Sequence, residues 1–257
     1  MISVVLATHN EAKNLATCLK AIKDLADEII IADGESTDET VEIAKKFGAK
    51  IIKTTNKANF HINKQLAMDA AKGDLVLQLD ADEVVDEKLK KFIKQISSSA
   101  INRAATKAWY LKRKNLFLGK FLTKGGQYPD PVIRLYINGY ARLPQKDVHE
   151  QMQVDGEVGT AEGHLLHYSN PEFSDYLRKF NAYTSLKATQ LKEQRIKINL
   201  SNSIYYLFAK PLLTFGSLYF RHKGFYDGLP GFVFALMSGL YWTISYLKLW
   251  ELYVKNN

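Results

Sequence analysis

Short apolar runs alternate with amphipathic stretches over the first hundred residues of the chain. The runs predict four buried strands, at residues 2–7, 28–32, 50–53 and 75–79. Apolar residues at helical spacing predict intervening helices, over 12–25, from Ser36 to Gly48 and over 61–71. Strands that alternate with helices are typical of a parallel sheet with helices on both faces, so the sequence predicts the α/β class.

Polar side chains stand directly after three of these predicted strands. Thr8 follows the first strand, Asp33 the second, and Asp80 and Asp82 the fourth. Parallel sheets bind ligands beyond the carboxyl ends of their strands, so we expect these side chains to share one rim. Asn10 and Ser36 follow the same strands and are residue types that cap helices, and we predict that role for both.

Residues 108–168 have a pattern more typical of β-structure. Strands are predicted at residues 109–112 and 165–168. Two further strands, 132–137 and 140–143, flank Asn138-Gly139, a dipeptide that predicts a hairpin between them. A long helix is predicted over 173–191.

The last segment of the chain contains two long stretches with few charges. Lys210 is the one charged residue in 204–220, and residues 228–247 contain no charged residue. Twenty uncharged residues are long enough to cross a bilayer, but glycine, proline and serine dilute their apolar character. Arg221-His222-Lys223 separates the stretches, and aromatic residues are interleaved. This mixture favours an anchor at a membrane interface, with a bilayer span and buried core helices as the alternatives.

The charge distribution divides the chain into a first part, residues 1–100, and a more basic second part. Residues 1–100 carry 14 Lys and 16 acids, whereas the rest of the 257-residue chain brings the net charge to +8. All Trp and Tyr residues lie beyond residue 108. The basic, aromatic part indicates an anionic partner, and its dispersed charges without a known motif argue against nucleic acid. One cysteine, Cys18, excludes an internal disulfide, and the N-terminus lacks a signal-peptide pattern.

The Asp80-Ala81-Asp82 sequence is the sharpest chemical feature. Alternate residues at a strand end point the same way, so both carboxylates can converge on one ligand. Oxygen donors at that spacing suit Mg²⁺ or Mn²⁺ bound to a diphosphate, with an acidic loop as the alternative. The chain has no Walker-type loop and no Gly-x-Gly-x-x-Gly after the first strand. These absences argue against a P-loop ATPase and a dinucleotide dehydrogenase.

Four segments together resemble the glycosyltransferase family 2 enzymes of GT-A fold. They are SVVLATHNE (3–11), DEIIIADGESTD (27–38), GD (73–74) and LDADE (79–83). Later segments resemble the subgroup with lipopolysaccharide core β-1,4-glucosyltransferases: GGQYPD (125–130), RL (134–135), VHE (148–150) and HLLHYS (164–169). The resemblance implies a catalytic domain over 1–190, with a nucleotide-binding half to residue 100 and an acceptor-binding half after it. Residues 191–257 would form a helical, membrane-associated extension.

The resemblance also implies roles for individual residues. Thr8 and Asp33 would contact the nucleobase, usually uracil, and Asp80 the ribose or sugar. Asp82 would bind the metal, Mn²⁺ or Mg²⁺, together with Asp80. The remaining donor-binding residues would be Asn10, Glu11, Lys64 and Arg134, of which Lys64 would steady the base or phosphates. From the sequence itself, Arg134 is a candidate to pair with Asp130 or with phosphate, with an ordinary exposed strand arginine as the alternative. Glu35 departs from the Asp-Ser-Gly-Ser of many relatives.

An inverting transfer needs a general base for the acceptor hydroxyl. Glu150, after His149, is the favoured residue. Asp130 is the second choice, because Pro129 and Pro131 would fix its backbone. His167 is predicted as a third metal ligand, with a buried hydrogen-bonded histidine as the alternative.

The leading hypothesis is a metal-dependent inverting glycosyltransferase. It would move glucose or a related hexose from a UDP-sugar to a glycan or lipid-linked acceptor in cell-envelope polysaccharide or lipopolysaccharide synthesis. We expect it in the cytoplasm, peripheral on the inner face of the cell membrane. The alternatives are a nucleotidyltransferase that uses an NTP and a membrane-tethered binding module without activity, which the intact acids argue against.

Overall fold

The computed structural model describes residues 1–98, 105–144, 151–170 and 172–255. The chain divides into two compact units, one of Met1–Arg113 with Asp130–His167 and one of Lys114–Pro129 with Tyr168–Asn257. The second unit therefore contains the whole of the long helix predicted over 173–191. The predicted boundary at residue 190 instead assigns that helix to the first domain.

The first unit contains most of the strands. They are β1 (Ile2–Thr8), β2 (Glu28–Gly34), β3 (Lys50–Thr54), β4 (Leu75–Leu79), β5 (Glu83–Val85), β6 (Thr106–Phe117), β8 (Pro131–Ile137), β9 (Ala141–Arg142), β10 (Gln153–Val154) and β11 (Glu157–Asn170). Strand β7 (Lys120–Phe121), which comes between β6 and β8 in the chain, belongs to the second unit. The ends of β6 and β11 run on into the second unit. The helices are α1 (Ala12–Ile22), α2 (Thr40–Lys46), α3 (Phe60–Asp69) and α4 (Glu87–Ser98).

Within the described residues, the large sheet has the order β3-β2-β1-β4-β8-β6-β11-β5, and β7 pairs with the end of β6. Strands β1 to β4 pair with one another in parallel, and β8 joins β4 in antiparallel orientation. The α/β class with a sheet between helices is therefore confirmed; the sheet is mixed, and β1 to β4 form its parallel part.

Helices cover both faces of this sheet because successive side chains of each strand point to opposite faces. Val4 and Leu6 of β1 belong to a buried cluster with Leu15 and Leu19 of α1, to which α2 and α4 also contribute. Val5, between them in sequence, belongs to a second cluster with Ala67 and Met68 of α3. Strands buried on both faces are continuous apolar runs, which is why β1 and β4 were readable from the sequence.

The hairpin predicted around Asn138-Gly139 is wrong, although the turn itself forms. The backbone N–H of Tyr140 donates to the carbonyl of Ile137 at 3.1 Å, as in a tight turn. However, β8 pairs with β4 and β6, whereas β9 pairs with β10 in a separate two-stranded sheet. Since both edges of β8 are occupied by sheet partners, the chain after the turn has no free edge to pair with.

The second unit is mainly helical. Its elements are α5 (Phe173–Glu193), α6 (Leu200–Ile204), a π-helical turn (Tyr205–Ala209), α7 (Lys210–Gly216), a second π-helical turn (Ser217–Arg221), a 3₁₀ turn (Gly224–Asp227) and α8 (Leu229–Val254). Helices α5 and α8 share a small core of Ala188, Leu191, Tyr246 and Leu249. Among the described residues, α8 is the one helix long and apolar enough to cross a membrane, with 26 residues and a mean hydropathy of 1.3.

Candidate active site

The predicted rim exists at the carboxyl ends of β1, β2 and β4. Thr8 and Asp33 are direct neighbours in the β1–β2 register. Leu6 of β1 is the neighbour of Leu79 of β4, so Asp80 leaves the sheet beside the end of β1. The prediction that Thr8, Asp33 and Asp80 share one edge of the sheet is therefore confirmed.

Asp33 is a buried carboxylate that is held by neutral donors. The Thr8 hydroxyl donates to its Oδ1 at 3.1 Å, and the Ser36 hydroxyl donates to the same oxygen at 2.6 Å. The backbone N–H of Ser36 donates to Oδ2 at 3.0 Å. These three bonds fix the carboxylate at the rim without a cation in contact among the described residues.

Asn10 and Ser36 do not cap helices, so that prediction is wrong. Asn10 has a φ of 55°, in the left-handed region, and its Oδ1 accepts the backbone N–H of Thr37 at 2.8 Å. The backbone N–H of Asn10 donates to the Ser36 hydroxyl at 2.9 Å. The two residues therefore tie the loop after β1 to the loop after β2, which are adjacent because their strands are paired.

The start of α1 is capped from the neighbouring loop instead. The backbone N–H of Ala12 donates to Asp38 Oδ2 at 3.1 Å, and that of Glu11 donates to the Thr40 hydroxyl at 2.7 Å. The Glu11 carboxylate accepts from Asn14 Nδ2 at 3.1 Å, within its own helix. Caps from another segment leave no signal at local spacing, so sequence reasoning missed them.

Asp80 differs from Asp33 because two cations hold it. Lys64 Nζ of α3 lies 2.5 Å from Oδ1, and Arg134 Nη2 of β8 lies 2.6 Å from Oδ2. Burial by itself would raise the pKa of Asp80, but the charges of Arg134 and Lys64 outweigh it and hold the pKa well below its usual range. Burial lowers the pKa of Lys64, against the opposing effect of Asp80.

Arg134 also contacts Gln78 of β4 and the buried Glu83 of β5. Burial alone would lower the pKa of Arg134, but Asp80 and Glu83 raise it above its ordinary value. Glu83 Oε2 accepts the backbone N–H of Asp80 at 2.9 Å, and its Oε1 lies 3.4 Å from Arg134 Nη2. Glu83 thus joins the backbone of the Asp-Ala-Asp turn to the guanidinium that holds Asp80.

The expected pairing of Arg134 with Asp130 is not found, because Arg113 takes that place. Arg113 Nε donates to Asp130 Oδ2 at 2.9 Å, and its Nη1 lies 3.4 Å from Glu83 Oε1. Asp130 has a φ of 39°, an unusual backbone conformation for a residue other than glycine. The sequence did not predict the roles of Glu83 and Arg113. The one local signal was the position of Glu83 directly after Asp82.

Asp82 lies against His167, with 3.4 Å between Oδ2 and Nε2. The contact follows from the sheet, because His167 of β11 is the neighbour of Glu83 in the β11–β5 register. A carboxylate oxygen and an imidazole nitrogen are a donor set that Mn²⁺ accepts, so Asp82 and His167 fit a divalent cation. The oxygens of Asp80 contact cations, and the described residues contain no cluster of three or more His, Cys, Asp or Glu side chains placed to hold a metal. The three-residue metal set remains a prediction.

Glu150, the favoured base, lies outside the described residues, as does His149. The assignment of the base to Glu150 or Asp130 therefore stays a prediction. The same holds for the nucleobase contacts predicted for Thr8 and Asp33.

Comparison with known proteins identifies a family domain in the first part of the chain. Residues 3–118, which contain β1 to β4 and the whole Asp-Ala-Asp turn, match the family model named Glycosyl transferase family 2. The chain therefore carries a glycosyltransferase family 2 domain over these residues. The family resemblance drawn from the four sequence segments is confirmed, whereas the β-1,4 linkage of the subgroup stays a prediction.

Two similar proteins align with this glycosyltransferase along nearly its whole length. An uncharacterized glycosyltransferase of Rickettsia typhi is 29% identical over 99% of this chain and 88% of its own. The lipopolysaccharide core biosynthesis glycosyltransferase LpsC of Rhizobium meliloti is 27% identical over 97% of this chain and 92% of its own.

A solved structure also aligns with the glycosyltransferase. Glucosyl-3-phosphoglycerate synthase of Mycobacterium tuberculosis, crystallised with Mn²⁺, UDP and glucosyl-3-phosphoglycerate, is 18% identical over 75% of this chain and 79% of its own, with a TM-score of 0.47.

Proposed function

We propose that this glycosyltransferase transfers a hexose, glucose or a close relative, from a UDP-sugar with inversion at the anomeric carbon. The observation that carries the proposal is the rim itself. A carboxylate held by neutral donors, a carboxylate held by two cations, and an Asp–His pair stand at the carboxyl ends of β1, β2 and β4. Such a series matches the parts of a nucleotide-sugar, which are a base, a diphosphate and a sugar.

The Asp33 side of the rim suits the nucleoside. A carboxylate accepts hydrogen bonds, and uracil offers an N–H donor at its ring edge. The hydrogen bonds from Thr8 and Ser36 orient Asp33 before any ligand binds. Asn10 and Glu11 belong to the proposed donor site through the loop after β1, whose path Asn10 fixes by its bond to Thr37.

The Asp80 side of the rim suits the diphosphate. Lys64 and Arg134 are cations that a diphosphate would gain as partners, and charge-assisted bonds to phosphate oxygens are strong. A divalent cation held by Asp82 and His167, with Asp80 beside it, would add charge that stabilises the departing diphosphate. We propose Mn²⁺ or Mg²⁺ for that role, because both ions take carboxylate oxygens, and the imidazole of His167 favours Mn²⁺ of the two.

We propose Glu150 as the general base that takes the proton of the acceptor hydroxyl. Asp130 is the second choice, because Arg113 already donates to one of its oxygens at 2.9 Å, which suits a residue that positions others. Glu150→Gln should abolish sugar transfer and leave binding of the donor intact. Unchanged turnover in Glu150→Gln, with loss in Asp130→Asn, would move the base to Asp130.

The proposed acceptor is a glycan or a lipid-linked sugar of cell-envelope or lipopolysaccharide synthesis, reached at the inner face of the cell membrane. The support is the similarity to LpsC over 97% of the chain, together with the apolar helix α8. Donor sugars made in the cytoplasm would then meet an acceptor carried by the bilayer.

A donor screen tests the proposal directly. The full chain is incubated with UDP-, GDP- and dTDP-sugars and with NTPs, with and without Mn²⁺ and with acceptor fractions, and thermal shift and release of nucleoside diphosphate or pyrophosphate are measured. We expect a metal-dependent shift and slow hydrolysis for a UDP-sugar only. A shift with an NTP and release of pyrophosphate would replace this proposal with the nucleotidyltransferase, and a shift without turnover for any acceptor fraction would favour a binding module.

A further inference from the structure

The second unit exposes aromatic and basic side chains together at the turn that precedes α8. Phe220 is 63% exposed, Tyr226 64% and Leu229 70%. Arg221, His222 and Lys223 are exposed between them. Solvent-exposed apolar side chains in one group, interleaved with cations, are what an interfacial membrane contact requires.

Ring contacts make these apolar side chains one patch. Phe220 and Phe232 each meet Phe215 edge to face, at 6.2 and 5.7 Å between ring centroids. Tyr219 contacts Phe220 at 5.1 Å and Phe225 at 6.1 Å, and Phe225 contacts Tyr226 at 4.7 Å. The patch therefore extends from the end of the second π-helical turn to the start of α8, and we call it the aromatic patch.

The acid in this region is turned inward. Asp227 is the only Asp or Glu between residues 194 and 250, whereas six Lys or Arg residues occur there. The Asp227 side chain is 2% exposed and accepts from the backbone N–H groups of Thr123 and Lys124 at 2.9 and 2.8 Å and from the Thr123 hydroxyl. The surface around the aromatic patch is thus basic, and its charge is complementary to anionic lipid.

We infer that the second unit docks on an anionic bilayer through the aromatic patch, with Phe220, Tyr226 and Leu229 at the depth of the headgroups and Arg221 and Lys223 against lipid phosphates. A second copy of the same surface is a poorer occupant, because a symmetric contact would place like charges together. The inference deepens the proposed location of the enzyme and rests on that part of the proposed function.

The packing of α8 indicates that this helix lies along the bilayer and does not cross it. Lys248 Nζ of α8 donates to the carbonyl and side-chain oxygens of Asn181, both at 2.7 Å, and to the Thr184 hydroxyl at 2.8 Å. Lys192 Nζ of α5 donates to the carbonyl of Leu252 at 3.3 Å. Helix α5 carries six charged residues, so a spanning α8 with these contacts would bring several charges into hydrocarbon at high cost.

The test is co-sedimentation of the full chain with vesicles of phosphatidylcholine alone and mixed with phosphatidylglycerol. We expect strong, salt-sensitive binding to the mixed vesicles only. Arg221→Glu with Lys223→Glu should reduce that binding about tenfold or more, and Phe220→Ser with Tyr226→Ser should also reduce it. The matched control is Lys45→Glu with Lys46→Glu, the same charge change on exposed lysines of α2 in the first unit.

Each remaining outcome has a defined meaning. Equal binding to both kinds of vesicle, or an equal loss in the α2 control, would overturn the inference. If the variant Arg221→Glu with Lys223→Glu has a lowered melting temperature, Arg221→Gln with Lys223→Gln replaces it. Unchanged vesicle binding by that second variant would also overturn the inference. Retention of the chain in cell membranes after alkaline carbonate would contradict an α8 that lies along the bilayer. Donor binding is measured without vesicles, so failure of docking and failure of the donor proposal are distinguishable.

Discussion

Asp33 and Asp80 lie at the carboxyl ends of β2 and β4, on either side of β1 at the same rim, yet they are held in opposite ways. Asp33 accepts bonds from two hydroxyls and a backbone N–H, all neutral. Asp80 lies between the Lys64 ammonium and the Arg134 guanidinium, at 2.5 and 2.6 Å. The same residue type at equivalent positions therefore has different chemistry, because other elements supply its partners.

The difference suggests that the Asp33 side and the Asp80 side of the rim bind different parts of the donor. Neutral hydrogen bonds fix the direction of Asp33 and leave its charge uncompensated by a cation among the described residues. Lys64 and Arg134 already lie in the site because Asp80 holds them. An incoming diphosphate therefore has to compete with only that carboxylate for these two cations. The following predictions test this division, from the largest expected effect to the smallest.

Asp82→Ala should reduce kcat/KM at least about 100-fold, because it removes the carboxylate that lies against His167 and is proposed to hold the cation. The measurement is turnover of a UDP-sugar across a Mn²⁺ titration. Asp24→Ala, which removes an exposed acid after α1, is the control and should keep wild-type turnover. Wild-type activity in Asp82→Ala at all metal concentrations would contradict the proposed metal site.

Lys64→Met should raise the donor KM about 10- to 100-fold, since one charge-assisted bond to phosphate is worth about 1.5–3 kcal/mol. Kinetics with the donor as the varied substrate gives the answer. Lys20→Met, an exposed lysine of α1, should have no effect. If Lys64→Met lowers the melting temperature but leaves KM unchanged, the lysine supports Asp80 only and the diphosphate is held elsewhere.

Acid titration of stability should distinguish Asp80 from other acids. Its pKa in the folded state is depressed by Arg134 and Lys64, so its stabilising effect is present above the unfolded pKa of about 3.9 and is lost as the pH falls below it. Asp80→Asn should therefore be less stable at pH 7 and should lose less stability on acidification. Urea unfolding from neutral to acid pH measures both, and an unchanged acid slope would refute the assignment.

Thr8→Val should have the smallest effect, because it removes one neutral hydrogen bond to Asp33. We expect a loss of about 1 kcal/mol in unfolding free energy and a severalfold rise in donor KM. Thr189→Val, whose hydroxyl bonds to the carbonyl of Ser185 in α5, is the control for loss of a hydroxyl. An effect on KM as large as that of Lys64→Met would remove the distinction between the two aspartates.

The parallel strands were predictable from the sequence for a simple reason. Burial on both faces makes β1 and β4 continuous apolar runs, and β4 has the predicted bounds, Leu75–Leu79. The rim followed from those strands, since residues after parallel neighbours must share an edge. The longer strand β11, of fourteen residues, alternates buried and more exposed positions only from Thr160 to Leu166, and only its later part was predicted.

The partners of the site residues could not be predicted in the same way. Arg134 is close to Asp130 in sequence, but the more distant Arg113 reaches it, and local spacing does not predict that choice. Only the sheet order, which places β8 beside β4, brings Arg134 to Asp80. The caps of α1 by Asp38 and Thr40 have the same origin, because they depend on loops meeting across paired strands.

The two π-helical turns, Tyr205–Ala209 and Ser217–Arg221, have a consequence for how the chain before α8 can change. A π turn holds one residue more than an α turn, so each one shifts the angular position of every side chain that follows it. Residues four apart on a plain α-helix drift by about 40° around the axis. The first turn works against that drift for the apolar stripe of Leu200, Ile204, Phe208 and Leu212, which are all exposed. A single-residue deletion within Tyr205–Ala209 would therefore rotate the later part of the stripe away from Leu200 and Ile204, which makes helical phase a property separate from hydrophobicity.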